Sequence, residues 1–231
     1  MYFDQHRDDC VQRLSQRRTW TDMVMDRLAL PWIVCVSDDR ALRAGRTPLD
    51  LERFLAVWPL IQGRLLDVGC GDNLLVQAYG NGIGADIVNW GQVDVLLPGD
   101  GTLPFADGSF DTITLLATLN HIAQRVTMLQ ECRRVLRPQG RLVATMLTPW
   151  VSYLVHHVRH DLDPDQTHRP SNGGEVWGLW PRKMRSLLRN AGFVDITARS
   201  FVWGLNRVYV AQVPQAGGVG LTHGQSRPRE G

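Results

Sequence analysis

A parallel, doubly wound α/β fold is predicted by three observations on this 231-residue chain. From Arg64 onward, short apolar runs alternate with turns and helical stretches. A glycine turn, Gly69-Cys70-Gly71, follows the first of these runs directly. Acidic residues then stand at the ends of later runs, at Asp86 and Asp100. The length suits one domain with additions. A hydrophobic content of 44% is enough to bury a sizeable core.

The elements follow in order. Residues 1–47 read as helical and irregular, with Val11, Leu14, Met23, Val24, Leu28 and Trp32 interleaved with charge. Thr47 as N-cap and Pro48 in the first turn mark a helix start, and Leu51, Phe54, Leu55, Trp58 and Ile61 form its apolar face up to Gly63. Strands are expected at 64–68, 83–88, 93–97, 110–116 and 141–147, with a short helix at 72–79. A further helix over 125–136 would bury Val126, Leu129, Cys132 and Leu136, and 137–140 would be a turn. A helix near 181–191 stops at Gly192, and strands near 194–200 and 207–213 close the fold. The segment 214–231 has almost no large apolar residues and reads as a disordered tail.

Composition excludes several function classes. With 25 basic and 23 acidic residues the net charge is +2, and no basic run makes a nucleic-acid footprint. No stretch approaches the roughly 18 apolar residues of a membrane span, and the acidic N-terminus is unlike a secretory signal. Cys10, Cys35, Cys70 and Cys132 are too widely spaced for a zinc site or a dense disulfide framework. The expected setting is a bacterial cytoplasm, with no metal and no stable membrane insertion.

The glycine turn carries the chemistry. Glycines let the backbone turn tightly and leave room for a ligand, and the helix start beyond them offers free N–H groups. A dinucleotide fingerprint would want glycine at position 74, where the chain has Leu74. A P-loop would want a lysine, and none is near. Instead Asp67 precedes the turn. Asp86, ending the second strand, has the two acceptor oxygens that a ribose diol needs. Asp100 and the Gly101 N–H suit an adenine edge. Three acidic groups around one crevice favour a cationic cofactor.

The segments DVGCG, GADI, GDGTLPFADGSFD, LNHI and VLRPQGRLV, in this order, resemble the class I S-adenosylmethionine-dependent methyltransferases, in particular their small-molecule branch. The resemblance covers residues 62–147, and 181–213 more loosely. It implies a seven-stranded, mostly parallel, Rossmann-like sheet whose last strand is antiparallel, and S-adenosyl-L-methionine as cofactor. It also implies that Gly69, Cys70 and Gly71 bound the methionine moiety, Asp86 the ribose, and Asp100 with Gly101 the adenine. Asp67 would orient the loop or meet the cofactor amino group, and Ala117 would face the methionine end. The short spacing from Asp86 to Asp100 reduces the usual second helix to a turn around Trp90 and Gly91.

On this reading the chain is organised as a helical cap (1–47), a cofactor core (48–147), a substrate lid (148–180) and a closing helix with two strands (181–213). His121 and His168 are the candidate bases. Asn120, Trp150, Asp165 and Trp177 are candidate substrate contacts in an aromatic- and histidine-rich stretch. The expected reaction is methyl transfer to an oxygen or nitrogen of a small-molecule or glycan-type acceptor. A non-methylating enzyme or a pseudoenzyme that binds the same cofactor remains open.

Overall fold

The computed structural model describes residues 19–36, 38–150, 152–153, 176 and 178–215. Seven strands form one sheet: β1 (Leu65–Val68), β2 (Gly82–Asp86), β3 (Val95–Leu96), β4 (Phe110–Leu116), β5 (Leu136–Leu147), β6 (Val194–Phe201) and β7 (Asn206–Gln212). Their spatial order is β3-β2-β1-β4-β5-β7-β6, with β7 antiparallel to both β5 and β6 and every other pairing parallel. The chain reverses its direction of travel across the sheet between β1 and β4. Their carboxyl ends therefore flank a crevice, the place where open α/β sheets bind ligands.

The helices are α1 (Trp20–Cys35), α2 (Asp38–Arg43), α3 (Leu49–Val57), α4 (Leu74–Tyr79), α5 (Arg125–Val135) and α6 (Pro181–Asn190). The central strands are buried on both faces, as parallel strands between helices must be. Met128, Leu129 and Cys132 of α5 and Met184 and Leu188 of α6 join Leu66, Ile113 and Leu142 in one core cluster. Val57 and Ile61 join Leu75 and Val76 of α4 against Leu65, Val143 and Val208 in another. Among the described residues no helix is long and apolar enough to cross a membrane.

Four local expectations are corrected. Thr47 does not cap α3; Pro48 stands at the N-cap without a side-chain bond. Thr47 instead turns to α1, where Asp26 accepts from its hydroxyl at 2.6 Å and from its N–H at 3.2 Å. A buried carboxylate is costly to leave without donors, and it takes this hydroxyl. The helix after the glycine turn starts at Leu74, not at position 72, because Asn73 adopts a left-handed conformation. Residues 137–140 form no separate turn: β5 runs through them as a bulge, since Phe110 pairs with Leu136 and Thr112 already pairs with Arg141. On α5 the buried stripe includes Met128 and Val135, whereas Val126 is exposed.

Candidate active site

The glycine turn is built by β1 and fastened to β2. Gly69 and Cys70 donate their N–H groups to the Ala85 carbonyl at 2.7 and 3.3 Å. Gly71 donates to Asp86 Oδ2 at 3.0 Å, and Val88 donates to Asp86 Oδ1 at 3.1 Å. Two backbone bonds thus aim the Asp86 carboxylate. Gly69 has a left-handed φ of 76°, and a Cβ there would stand 2.3 Å from Thr118 Cγ2. Only glycine permits β4's continuation to lie this close to the turn.

The cleft above the crevice encloses about 670 Å³, open solvent included, and its walls include Gly69, Asp86, Ile87, Gly101, Thr118 and His121. Leu97 and Ile122 add apolar surface. Ile87 and Ile122 flank the space with apolar side chains, while Gly99, Gly101 and Thr102 bring backbone to it. Such a slot suits a flat heterocycle joined to a diol-bearing sugar, with Asp86 as the acceptor for the hydroxyls.

The other acidic residues lie differently. Asp67 is buried beneath the turn and accepts from Thr114 Oγ1 at 2.6 Å. Burial, opposed by that bond and reinforced by Asp86 and Asp72, raises its carboxyl to about 7. Asp100 is exposed and does not wall the cleft. One of its oxygens accepts from the Thr102 N–H and hydroxyl at 2.9 and 2.6 Å, which holds its carboxyl below the usual range. The Asp100 turn therefore presents Gly99, Gly101 and Thr102 to the cleft. Of the three carboxylates expected around the crevice, only Asp86 lines it.

Cys70 is buried, and desolvation together with Asp67, Asp86 and Asp94 pushes its thiol far up, so it stays protonated and is no nucleophile. Ala117 directly follows β4 with a left-handed φ of 55°. Its N–H donates to Thr145 Oγ1 at 3.0 Å and to the Thr145 carbonyl at 3.3 Å. Asn120 and His121 follow. Asn120 Nδ2 lies 2.9 Å from His121 Nε2, and the Asn120 carbonyl accepts from Arg125 and from the Val176 N–H. An amide NH₂ can only donate, so this contact is a hydrogen bond in the Nδ1-protonated tautomer of His121. Trp150 is exposed, as are Tyr153 and Trp180. His168, Asp165 and Trp177 lie outside the described residues. Among the described residues no three His, Cys, Asp or Glu side chains group to hold a metal ion.

Two residues that brace the site from behind were not anticipated: Asn73 and Asp94. Asn73 is the buried left-handed residue between the turn and α4, and Asp94 accepts from its side chain. The signal available in the sequence was Asn at the one point after the glycines where the chain must bend, since asparagine tolerates φ > 0 better than most residues.

The switch-point crevice, the glycine turn and the Asp86 carboxylate at the cleft wall define a Rossmann-like class of α/β protein. Residues 66–144 match the methyltransferase domain family. A demethylmenaquinone methyltransferase of Paenarthrobacter aurescens is 28% identical over 192 residues, 68% of this chain and 76% of that protein. A 27-O-demethylrifamycin SV methyltransferase of Amycolatopsis mediterranei is 29% identical over 126 residues, 46% of each chain. A solved structure from Thermotoga maritima, described as a SAM-dependent methyltransferase and possible histamine N-methyltransferase, shares the fold. Its TM-score is 0.56 at 19% identity, covering 71% of this chain and 88% of that one. Together with the fold, these matches support a class I S-adenosylmethionine-dependent methyltransferase, an enzyme whose cofactor is S-adenosyl-L-methionine. The cleft is compatible with that molecule, since it combines a turn with no room for a Cβ at Gly69, an aimed carboxylate and an apolar slot.

Proposed function

We propose that this enzyme methylates a hydroxyl-bearing small-molecule acceptor, at the oxygen or at the ring carbon beside it. In this reading Gly69, Cys70 and Gly71 border the methionine end of the cofactor, with Asp67 orienting the turn from below. Asp86 takes the ribose hydroxyls, Gly101 and the Asp100 turn take the adenine, and Ala117 borders the methyl group through its backbone. The bound sulfonium supplies an electrophilic methyl and departs as a neutral thioether. What the chain adds is mainly alignment in a space shielded from water.

The observation that carries the proposal is the Asn120–His121 pair at the cleft wall. An acceptor hydroxyl that displaces the Asn120 amide meets the Nε2 lone pair and gives up its proton there. The resulting oxyanion attacks through oxygen or, where conjugated, through the adjacent carbon; in the latter case that carbon's hydrogen leaves as a proton and the ring oxygen takes one back, restoring the aromatic ring. His121 then returns the proton to water. Asn120 holds the imidazole in the required tautomer until the acceptor arrives. The exposed Trp150 and Trp180 offer flat faces for a ring. The relatives named for a demethylmenaquinone and for a rifamycin oxygen support an acceptor of this kind. A glycan-type acceptor is the second reading, because tryptophan faces stack equally on sugars; a nitrogen acceptor would use the same base.

The experiment is transfer of labelled methyl to a panel of reduced naphthoquinones, phenols, amines and oligosaccharides. Label is expected in the phenols or naphthoquinols. Label only in a sugar or an amine would overturn the acceptor class proposed here.

A further inference from the structure

The glycine turn is held not only from β1 and β2 but also by a side chain that reaches across the crossover to β3. Asn73 is 1% exposed and left-handed, with φ 63°. Its N–H donates to the Cys70 carbonyl at 2.9 Å, which closes the turn. Its Nδ2 donates to Asp94 Oδ2 and to the Gln92 carbonyl, both at 2.9 Å. Asp94 Oδ2 also accepts from the Gly84 N–H of β2 at 2.8 Å. One carboxylate oxygen therefore joins the turn, β2 and the crossover.

The surroundings are shaped for this side chain. A Cβ on Gly84 would stand 1.9 Å from Asn73 Oδ1, so strand β2 has a glycine where Asn73 packs against it. Residues 87–94 contain no helix that could brace the crossover. Glycine would satisfy the left-handed backbone at position 73, but it would supply no donor.

We infer that Asn73, through Asp94 and Gln92, is a positioning residue that sets the width of the cofactor cleft between the Gly69–Gly71 turn and the Asp86–Ile87 wall. Neither Asn73 nor Asp94 walls the cleft, so the pair acts through the residues that do. Losing it leaves the turn tied only to β2 and the first residues of the crossover, so the cleft loosens and cofactor binding weakens. The acceptor side of the site, at Asn120 and His121, is untouched.

This inference rests on cofactor binding in the described cleft, and the test separates the two. Cofactor Kd is measured by calorimetry and steady-state constants are measured for the wild type, Asn73→Gly, Asn73→Asp, Asn73→Asp with Asp94→Asn, and Asp86→Ala. Asn73→Gly keeps the backbone conformation and should raise the Kd and KM for S-adenosylmethionine about tenfold, with kcat at saturation little changed. Asn73→Asp is nearly isosteric but sets two carboxylates face to face, so its Kd should rise further. Adding Asp94→Asn should recover part of that loss. Melting temperatures of the free proteins show whether each variant is folded. Wild-type Kd in Asn73→Gly, or no recovery in the double variant, overturns the inference if Asp86→Ala binds weakly. Unaltered binding by Asp86→Ala would instead overturn the cleft assignment itself.

Discussion

Thr114 donates its hydroxyl to Asp67 at 2.6 Å, and both side chains are buried directly beneath the glycine turn. The carboxyl that receives this bond is shifted up to about 7, because burial outweighs the bond and Asp86 and Asp72 add repulsion. The site thus holds a carboxyl that is costly to ionise until a positive charge arrives.

The pH dependence follows with a definite sign. Asp67 titrates near 3.8 when exposed and near 7 when folded, so its contribution favours folding below about 4 and is lost as pH rises through 7. Denaturant titrations should show stability falling across this window in the wild type. In Asp67→Asn, whose amide oxygen still accepts from Thr114, that part of the slope should be missing. A cationic cofactor favours the ionised carboxylate, so affinity for S-adenosylmethionine should rise with pH through 7. Affinity for the uncharged thioether product should depend on pH less.

Gly69→Ala tests the close approach of β4 to the turn. The added Cβ meets Thr118 at 2.3 Å and requires a positive φ from alanine, together costing about 3 kcal/mol. Chemical unfolding measures that loss. Cofactor binding should weaken as well, and Thr118→Ala should relieve part of both effects in the double variant.

Thr145→Val tests how Ala117 is held. Valine keeps the β-branched shape in the buried strand but removes the Oγ1 acceptor at 3.0 Å from the Ala117 N–H. A non-glycine residue at φ 55° depends on such bonds to stay there. The expected result is a kcat lower by about three- to tenfold, with Thr145→Ser near wild type.

Arg134 anchors the loop that follows the Gly99–Thr102 turn. It donates to the Leu103 and Phe105 carbonyls at 2.9 and 2.8 Å and forms a two-pronged pair with Glu131, whose Oε2 accepts from the Leu103 N–H. Arg134→Met keeps the aliphatic stem and should cost about 2 kcal/mol in thermal unfolding. Its Asp107 partner is exposed and adds little. Added salt should therefore leave most of the difference in place.

The parts of the fold legible in the sequence are those that local pattern controls. All seven strands lie where apolar runs predicted them, and Asp86 ends β2 because a strand's last residue is where a polar side chain first reaches the crevice. The glycine turn was legible for the same reason, since its conformation is set by the residues in it. What stayed hidden depends on partners distant in the chain. Thr47 has every local feature of an N-cap, yet Asp26, 21 residues earlier, takes its hydroxyl. Asn73 gives no hint that its side chain meets Asp94, 21 residues later. Asp100 looked like a cleft residue by register, but Thr102 turns its carboxylate back on its own loop. The bulge at 137–140 reads as a turn because its residues are turn residues, and only pairing with β4 keeps it in the strand.

The most direct test of the central claim is a crystal structure with S-adenosylhomocysteine bound. The ribose hydroxyls are expected within hydrogen-bonding distance of Asp86, the adenine between Ile87 and Ile122 beside Gly101, and the sulfur between Gly69 and Ala117, facing His121. Ribose density away from Asp86, or a sulfur that does not face the Asn120–His121 pair, would contradict that claim.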